Sequence, residues 1–372
     1  MSRSERIALW ALLAAVLVVA SLHWWVAADE WVFRWVQFHR GCGVEAASRW
    51  IDPIVRGTLA LLIGIGLVWG GWRRPWRVLA LLALFLIGAG AVEVLKTGIE
   101  RLRPSSTPGM VTGNSFPSGH TTGAAMVAAI AVVLIRGRHW PRAAAIGACG
   151  VAAACVALQA IGRLLNGSHW LSDVVASALL GVAWVLGAGW MRRWSRVAVT
   201  SVVAIAGAAF LVFDDLPGVR LRLPSAIDES RASIASVEFG TLEGRAALGG
   251  RWSDGPREPI GPVSWALSSE VSATLRTEQE AAGVLKIMIR PATGAENRRR
   301  CSRLVISVNE WAAPEIALLR GWREYHVAPP PGVLRRGENT VRFRFAAEPG
   351  EAPPTASGGR VGFRYLRLYP RA

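Results

Sequence analysis

Three short groups of polar residues interrupt long apolar runs, and their types suit the handling of an anion. Lys96 is followed after six residues by Arg103-Pro104. Pro117-Ser118-Gly119-His120 comes next, and Arg163, His169 and Asp173 form the third group. Lys96, Arg103 and Arg163 supply three positive charges, and the arginine fork matches phosphate oxygens in pairs. Ser118 and Gly119 stand where a helix is expected to begin, with free backbone N–H groups to donate, and a glycine lets the main chain approach closely. His169 and Asp173 are four apart, so on a helix they share one face. A carboxylate accepting from one ring nitrogen fixes the tautomer and leaves the other nitrogen free to attack. His120 is then available to protonate a leaving oxygen and later to activate water. Together the parts describe phosphoryl transfer through a phosphohistidine, with no metal required. Each part also has a plainer reading. Lys96 and Arg163 could snorkel, Asp173 could pair with Arg163, and a lone histidine at a helix end is often an interface residue. Three groups in order on one expected side of a membrane favour the catalytic reading, because polar residues at that depth are costly.

These groups must be positioned by helices that cross a bilayer. Of the 372 residues 52% are hydrophobic and 18% charged, which excludes a disordered or fibrous chain. The net charge is +16, of which residues 1–213 carry +11 and the remainder +5. Nucleic acid is not the expected partner, because the basic residues cluster between apolar runs as membrane topology arranges them. All but two of the 42 basic residues are arginine, a skew that reads as base composition. Apolar runs of spanning length lie at about 7–28, 57–72, 78–97, 119–135, 143–164, 170–190 and 197–213, giving seven spans. The first also resembles a signal peptide, with Arg3 and Arg6 before it and Val26-Ala27-Ala28 at its end; its length and His23-Trp24-Trp25 favour a retained span. Clusters such as Arg73/Arg74/Arg77 and Arg136/Arg138/Arg142 belong in the cytoplasm, whereas Asp29, Glu45, Asp52 and Glu100 mark the outer side. The N-terminus is therefore expected inside, with all three polar groups and everything after about 214 outside. Segment 30–50 mixes Trp31, Phe33, Trp35 and Phe38 with Arg34 and Arg40, which suits an amphipathic helix on the outer surface, a short loop being the alternative. Cys149 and Cys155 read as packing residues; a Cys42–Cys301 disulfide is a minor alternative, and no cysteine spacing suggests zinc.

The series Lys96-x6-Arg103-Pro104, Pro117-Ser118-Gly119-His120 and Arg163-x5-His169-x3-Asp173 resembles the signature of the type-2 phosphatidic acid phosphatase superfamily. Lipid phosphate phosphatases, undecaprenyl-diphosphate phosphatases, glucose-6-phosphatase and vanadium haloperoxidases belong to that superfamily. The resemblance covers roughly residues 55–190. It implies a six-helix membrane core with the site at the outer leaflet. By the same resemblance Lys96, Arg103, Ser118, Gly119 and Arg163 bind phosphate, His169 is the nucleophile, Asp173 orients it and His120 is the acid/base. One departure is visible: the family usually has Ser before the third-group arginine, and Gly162 stands here. Glu93, three residues before Lys96, reads as its structural support.

After Leu216-Pro217-Gly218 the pattern changes. Stretches at 285–289, 304–308, 340–345 and 361–368 alternate with period two and carry β-branched and aromatic residues, so they read as strands. Gly337-Glu338-Asn339 reads as the turn before one of them. About eight short strands suggest a β-sandwich. The run from Gly321 to the strand at 340–345 is similar to galactose-binding-like jelly-roll domains, which makes a glycan or glycolipid a candidate ligand. Trp252, Trp265, Trp311 and Trp322 could stack on sugars, although core roles are the plainer reading, and Arg245, Arg251 and Arg257 could meet anionic headgroups.

The expected architecture is an all-α polytopic membrane bundle at 1–213, a linker at 214–235 and an extracytoplasmic all-β sandwich at 236–372. The expected activity is hydrolysis of a membrane lipid phosphate or diphosphate, of the phosphatidic acid or undecaprenyl diphosphate type, at the outer face of an inner membrane, without cofactor. Alternatives are an envelope lipid phosphotransferase, a glycan-binding membrane protein with a degenerate phosphatase half and, more remotely, a vanadium-dependent oxidase.

Overall fold

The computed structural model describes residues 3–39, 42–68, 75–104, 114–136, 141–191, 221–222, 233–254, 261–291, 302–319, 321–346 and 361–370. The expected span at 197–213, Arg257 and Cys301 lie outside these. The chain divides into two compact units: Met1–Asp29, Ala46–Arg103 and Gly113–Pro224 form one, and Glu30–Glu45 with Pro104–Thr112 and Ser225–Ala372 the other.

The first unit is helical apart from one short parallel pair, β1 (Ile99–Glu100) and β2 (Leu221–Arg222). Its elements are α1 (Arg3–Ala20), the start of α2 (Leu22–His39), α3 (Cys42–Gly66), α4 (Pro75–Gly98), α5 (Gly119–Arg136), α6 (Arg142–Leu165) and α7 (Leu171–Met191). The apolar run at 7–28 is not one helix. It breaks at Ser21, whose Oγ donates to Leu17 O (2.6 Å) and so competes with the backbone ladder. Of segment 30–50, residues 30–39 belong to α2 and 42–50 to α3. Of the described helices, Arg142–Leu165 is long and apolar enough to cross a membrane, and 119–135 and 171–186 are shorter apolar helices. Small residues set the packing. Ala125, Ala131 and Ala176 are fully buried where α5 meets α6 and α7, so these backbones approach closely. One cluster joins Val55 and Leu59 of α3 to Ala124 and Ala128 of α5 and to Ala152 and Cys155 of α6. Meanwhile Trp10, Leu17, Leu61, Leu86, Ile146 and Ile161 are exposed. An apolar exterior of that extent suits hydrocarbon rather than water.

The second unit is an antiparallel β-sandwich. One sheet has the order β10 (Trp311–Ala312), β9 (Ser302–Val308), β13 (Gly337–Ala346), β7 (Glu270–Thr277) and β4 (Leu248–Gly249), with β11 (Ile316–Leu318) also on β9. The other has β12 (Arg323–Val327), β8 (Gly283–Pro291), β14 (Val361–Pro370), β6 (Ser264–Ala266) and β5 (Trp252–Asp254), with β3 (Ala235–Glu238) also on β14. Period-two alternation sends Leu285, Ile287 and Ile289 of β8 into a shared core with Ile306, Phe343 and Phe363. β13 begins at Gly337, so the expected turn at 337–339 is already strand. Asn339 is fully buried there, and its amide donates to Arg335 O (2.8 Å) and Thr277 Oγ1 (3.1 Å).

The tryptophans proposed for sugar stacking are taken up by packing. Trp265 and Trp322 are buried, and the Arg290 guanidinium lies 5.3 and 5.4 Å from their ring centroids. Trp252 packs against Phe239 and Phe363, and Trp311 lies partly buried against the core. On the same sheet as Arg290, Lys286 Nζ pairs with Glu324 (3.1 Å), and both are buried. His326 is buried beside Phe33, at 4.7 Å between ring centroids, and Gln37 brackets its main chain with two 2.9 Å bonds.

Candidate active site

The third polar group is built on the short link between α6 and α7. Asp173 lies in the first turn of α7 and accepts the Trp170 N–H at Oδ2 (3.0 Å), as a carboxylate does at the positive end of a helix. His169, just ahead of that turn, is buried. Its Nδ1 is 2.7 Å from Ser115 O and 3.8 Å from Asp173 Oδ2. Its Nε2 is 3.3 Å from Arg103 Nη1. A carbonyl only accepts and a guanidinium only donates, so the proton is on Nδ1 and the lone pair on Nε2. Burial pushes this imidazole below its ordinary value, against the upward pull of Asp173. The tautomer-fixing contact expected from Asp173 is therefore made by a backbone carbonyl, with the carboxylate behind it at ion-pair distance.

Arg103 is held from two sides. Its Nη1 donates to Ser168 O (2.8 Å) and its Nη2 to Asn114 O (3.1 Å). Asn114 ties this segment to the end of α4 by donating to Lys96 O (2.6 Å). Lys96 Nζ lies 2.9 Å from Glu93 Oε1, the support expected from the spacing. A Cβ on Gly119 would sit 3.2 Å from that Nζ, so the missing side chain is what lets the ammonium reach the start of α5. Ser118 differs from expectation. Its N–H donates to Ser177 Oγ (2.7 Å) and its Oγ shares a hydrogen bond with Thr121 Oγ1 (3.0 Å), so its amide is engaged inside the bundle. His120, one residue past Gly119, is exposed at the head of α5.

Arg163 ends α6 and pairs not with Asp173 but with Asp52 of α3, Nη2 to Oδ1 at 3.2 Å. Gln159 donates to the same oxygen (3.0 Å), and Arg56 holds Oδ2 (2.7 Å). Gly162 explains how α3 comes so near. A Cβ there would lie 3.0 Å from Ile51 Cγ2, so the serine usual at this position would press on the residue beside Asp52. Among the described residues, the buried Arg163 Nε has no hydrogen-bond partner, a donor in want of an acceptor.

A cavity of about 750 Å³ opens among α3, α4, α5 and α6. At the end nearest the polar groups it is lined by Asp52, Arg56, Glu93, Lys96, Gly119, His120 and Gln159. Farther along the same helices the lining becomes Leu59, Ile63, Leu67, Phe85 and Val127. A second space of about 320 Å³ shares Ile63, Leu67, Phe85 and Val127 and extends to Leu81, Ile130 and Leu134. The outline is amphipathic, with charge at one end and hydrocarbon at the other. Among the described residues, no three His, Cys, Asp or Glu side chains converge as a metal site.

A family model described as the PAP2 superfamily matches residues 77–197, the stretch that contains all three polar groups. Over these residues the chain is similar to the PAP2 superfamily. Phosphatidylglycerophosphatase B of Bacillus subtilis (strain 168) is 32% identical over 138 residues, 37% of this chain. The chain spans 64% of that relative's length. A solved transmembrane PAP2-type phosphatidylglycerolphosphate phosphatase from B. subtilis is 25% identical, covering 51% of this chain and 98% of that one at a TM-score of 0.44. The CBM36-1 domain of a multidomain xylanase from the hindgut metagenome of Trinervitermes trinervoides covers 37% of this chain and 97% of its own, at 12% identity and a TM-score of 0.26.

Within residues 77–197, the structure brings His169 to Arg103 and Asp173, and Lys96 to Gly119. His120 opens into the cavity beside Lys96, within electrostatic reach of Arg163 and His169. The sequence reading missed Ser115, Asn114, Asp52, Gln159 and Ser177. Ser115 and Asn114 act at this site through backbone carbonyls, which no residue type announces. Asp52 was readable only as a topology charge.

Proposed function

We propose that this protein is a membrane lipid phosphatase that works through a phosphohistidine on His169, without metal, and that its substrate enters headgroup first from the bilayer. The observation that carries the reading is the locked tautomer. Ser115 O takes the Nδ1 proton, so Nε2 presents its lone pair toward Arg103. The substrate phosphate takes the place of that guanidinium–imidazole contact. Arg103, Lys96 and the unsatisfied Nε of Arg163 then neutralise its oxygens. Nε2 forms the N–P bond as the P–O bond to the lipid alcohol breaks, and His120 gives that oxygen its proton. His120 then takes a proton from water, which attacks phosphorus and frees the imidazole. The apolar length of the cavity supports a lipid rather than a soluble phosphate. Among lipids we favour a phosphatidylglycerophosphate- or phosphatidic acid-type monoester, with undecaprenyl diphosphate as the other class to be tested. The placement is multi-pass in an inner membrane, N-terminus inside and catalytic end outside. Phosphate release in detergent with excess EDTA, from each of these three lipids, tests the reaction, its substrate and its metal independence together. Release from one lipid, lost in His169→Ala, is the expected result. A folded His169→Ala protein with normal turnover would refute the mechanism, and a requirement for added metal would refute its metal independence.

A further inference from the structure

Behind His169 lies a second ionic assembly. Arg101, Asp29 and Asp173 each have 0% side-chain exposure. Arg101 Nη1 donates to Asp173 Oδ1 and to Ser172 Oγ (2.8 Å), and Nη2 donates to Asp29 Oδ2 (2.7 Å). Asp29 is in turn held by Ser172, whose N–H reaches Oδ1 (2.8 Å) and whose hydroxyl reaches Oδ2 (2.6 Å). The Trp170 ring centroid lies 6.0 Å from the Arg101 guanidinium, and its Nε1–H is tied to Leu102 O (2.7 Å). One guanidinium thus faces two carboxylates, and the three groups sum to −1 in a dry place. Surplus buried charge is costly unless another group answers it.

We propose that Asp29 and Arg101 are positioning residues for the nucleophile, and that the surplus negative charge is matched by the cationic ring of phosphorylated His169. The proposal rests on His169 being the nucleophile. When Nε2 bonds phosphorus, Nδ1 keeps its proton, so the ring passes from neutral to +1 while the leaving alcohol takes its proton from His120. Arg103, the other charge facing His169, is neutralised by the entering phosphate. The charge behind the ring therefore counts in the transition state and little in the Michaelis complex, which places its effect on kcat rather than KM. Arg101 fixes the orientation of Asp173 relative to Nδ1, and Asp29 fixes Arg101.

The test uses the full chain in detergent with phosphatidylglycerophosphate, comparing wild type, His169→Ala, Asp29→Asn and Ser172→Ala. Asp29→Asn removes one charge at nearly constant volume, and kcat is expected to fall about tenfold or more with KM within about twofold. Ser172→Ala removes no charge but loosens both partners, and its kcat is expected to fall less, with KM again unchanged. Should Asp29→Asn fail to fold, Ser172→Ala alone decides. The proposal is overturned if the folded variant keeps wild-type kcat, if KM rises in step with the loss, or if Ser172→Ala reproduces the full loss seen in Asp29→Asn. A wild type inactive on all three lipids, or an active His169→Ala, overturns the phosphohistidine reading and this proposal with it. Wild-type activity lost in His169→Ala but kept in Asp29→Asn overturns this proposal alone.

Discussion

Asp173→Asn separates two ways in which a carboxylate can serve a histidine nucleophile. Where the carboxylate alone holds the Nδ1 proton, its amide leaves the ring in the wrong tautomer and about four orders of magnitude are lost. Here Ser115 O holds that proton at 2.7 Å and Asp173 Oδ2 stands off at 3.8 Å. The amide therefore costs the charge but not the tautomer. At 3.8 Å and an effective dielectric of about 20, attraction between carboxylate and cationic ring is about 4 kcal/mol, equal to about a thousandfold in rate. Arg101 on the other oxygen offsets part of it, so the expected loss in kcat is between about thirtyfold and a thousandfold. Arg101 keeps Asp29 as a partner, so the variant folds. Steady-state release of phosphate from phosphatidylglycerophosphate micelles measures the loss, with the thermal transition recorded on the same preparation. A folded Asp173→Asn protein as inactive as His169→Ala would show that the carbonyl does not hold the tautomer. A loss of less than about threefold would show that the carboxylate's charge is not felt at the ring.

Other expectations follow from the same geometry. Burial, with Lys286 and Arg34 nearby, holds His326 well below its ordinary value, so the folded sandwich leaves it neutral while the unfolded chain protonates it near pH 6.5. Stability should be full above that pH and fall below it by up to about 1.4 kcal/mol per pH unit from this residue, and His326→Leu should flatten the slope in denaturant titrations at pH 5 and pH 7.5. Gly162→Ser should lower the thermal midpoint by the equivalent of about 1 kcal/mol through its collision with Ile51, and the double variant with Ile51→Ala should recover part of it; an unchanged midpoint in the single variant would contradict the tight packing. Asn339→Ala should cost about 2 kcal/mol, because it takes the Oδ1 acceptor from the Arg335 N–H and leaves the Arg335 carbonyl only the Thr277 hydroxyl of its two side-chain donors, and unfolding by guanidinium would read it directly.

The groups proposed for catalysis stand out in the sequence because spacing and residue type carry them: a histidine and an aspartate four apart need little else to share a face. The strands at 285–289 and 361–368 were legible for the same reason, since period two survives in the residues themselves. What escaped was of another kind. Asp29 and Arg101 meet across 72 positions, and each alone looks like an ordinary charge near the end of a span. Ser115 works through its carbonyl, which every residue possesses. The break at Ser21 follows from a hydroxyl competing for a backbone acceptor within an otherwise continuous apolar run. The aromatic residues after 250 could be read as core or as binding platforms, and only packing, such as Arg290 between Trp265 and Trp322, distinguishes the two.

The carbonyl of Ser115 also has a consequence for regiochemistry. An imidazole has two nitrogens, and free histidine can be phosphorylated at either to give two isomers. With Nδ1 capped at 2.7 Å by an atom that cannot move without its backbone, only Nε2 carries a lone pair for an electrophile. A phosphoenzyme trapped by acid-free quenching and digested under alkali should therefore contain a single isomer, the one substituted on the nitrogen remote from the side-chain stem. The same selectivity should extend to alkylating reagents that carry no phosphate.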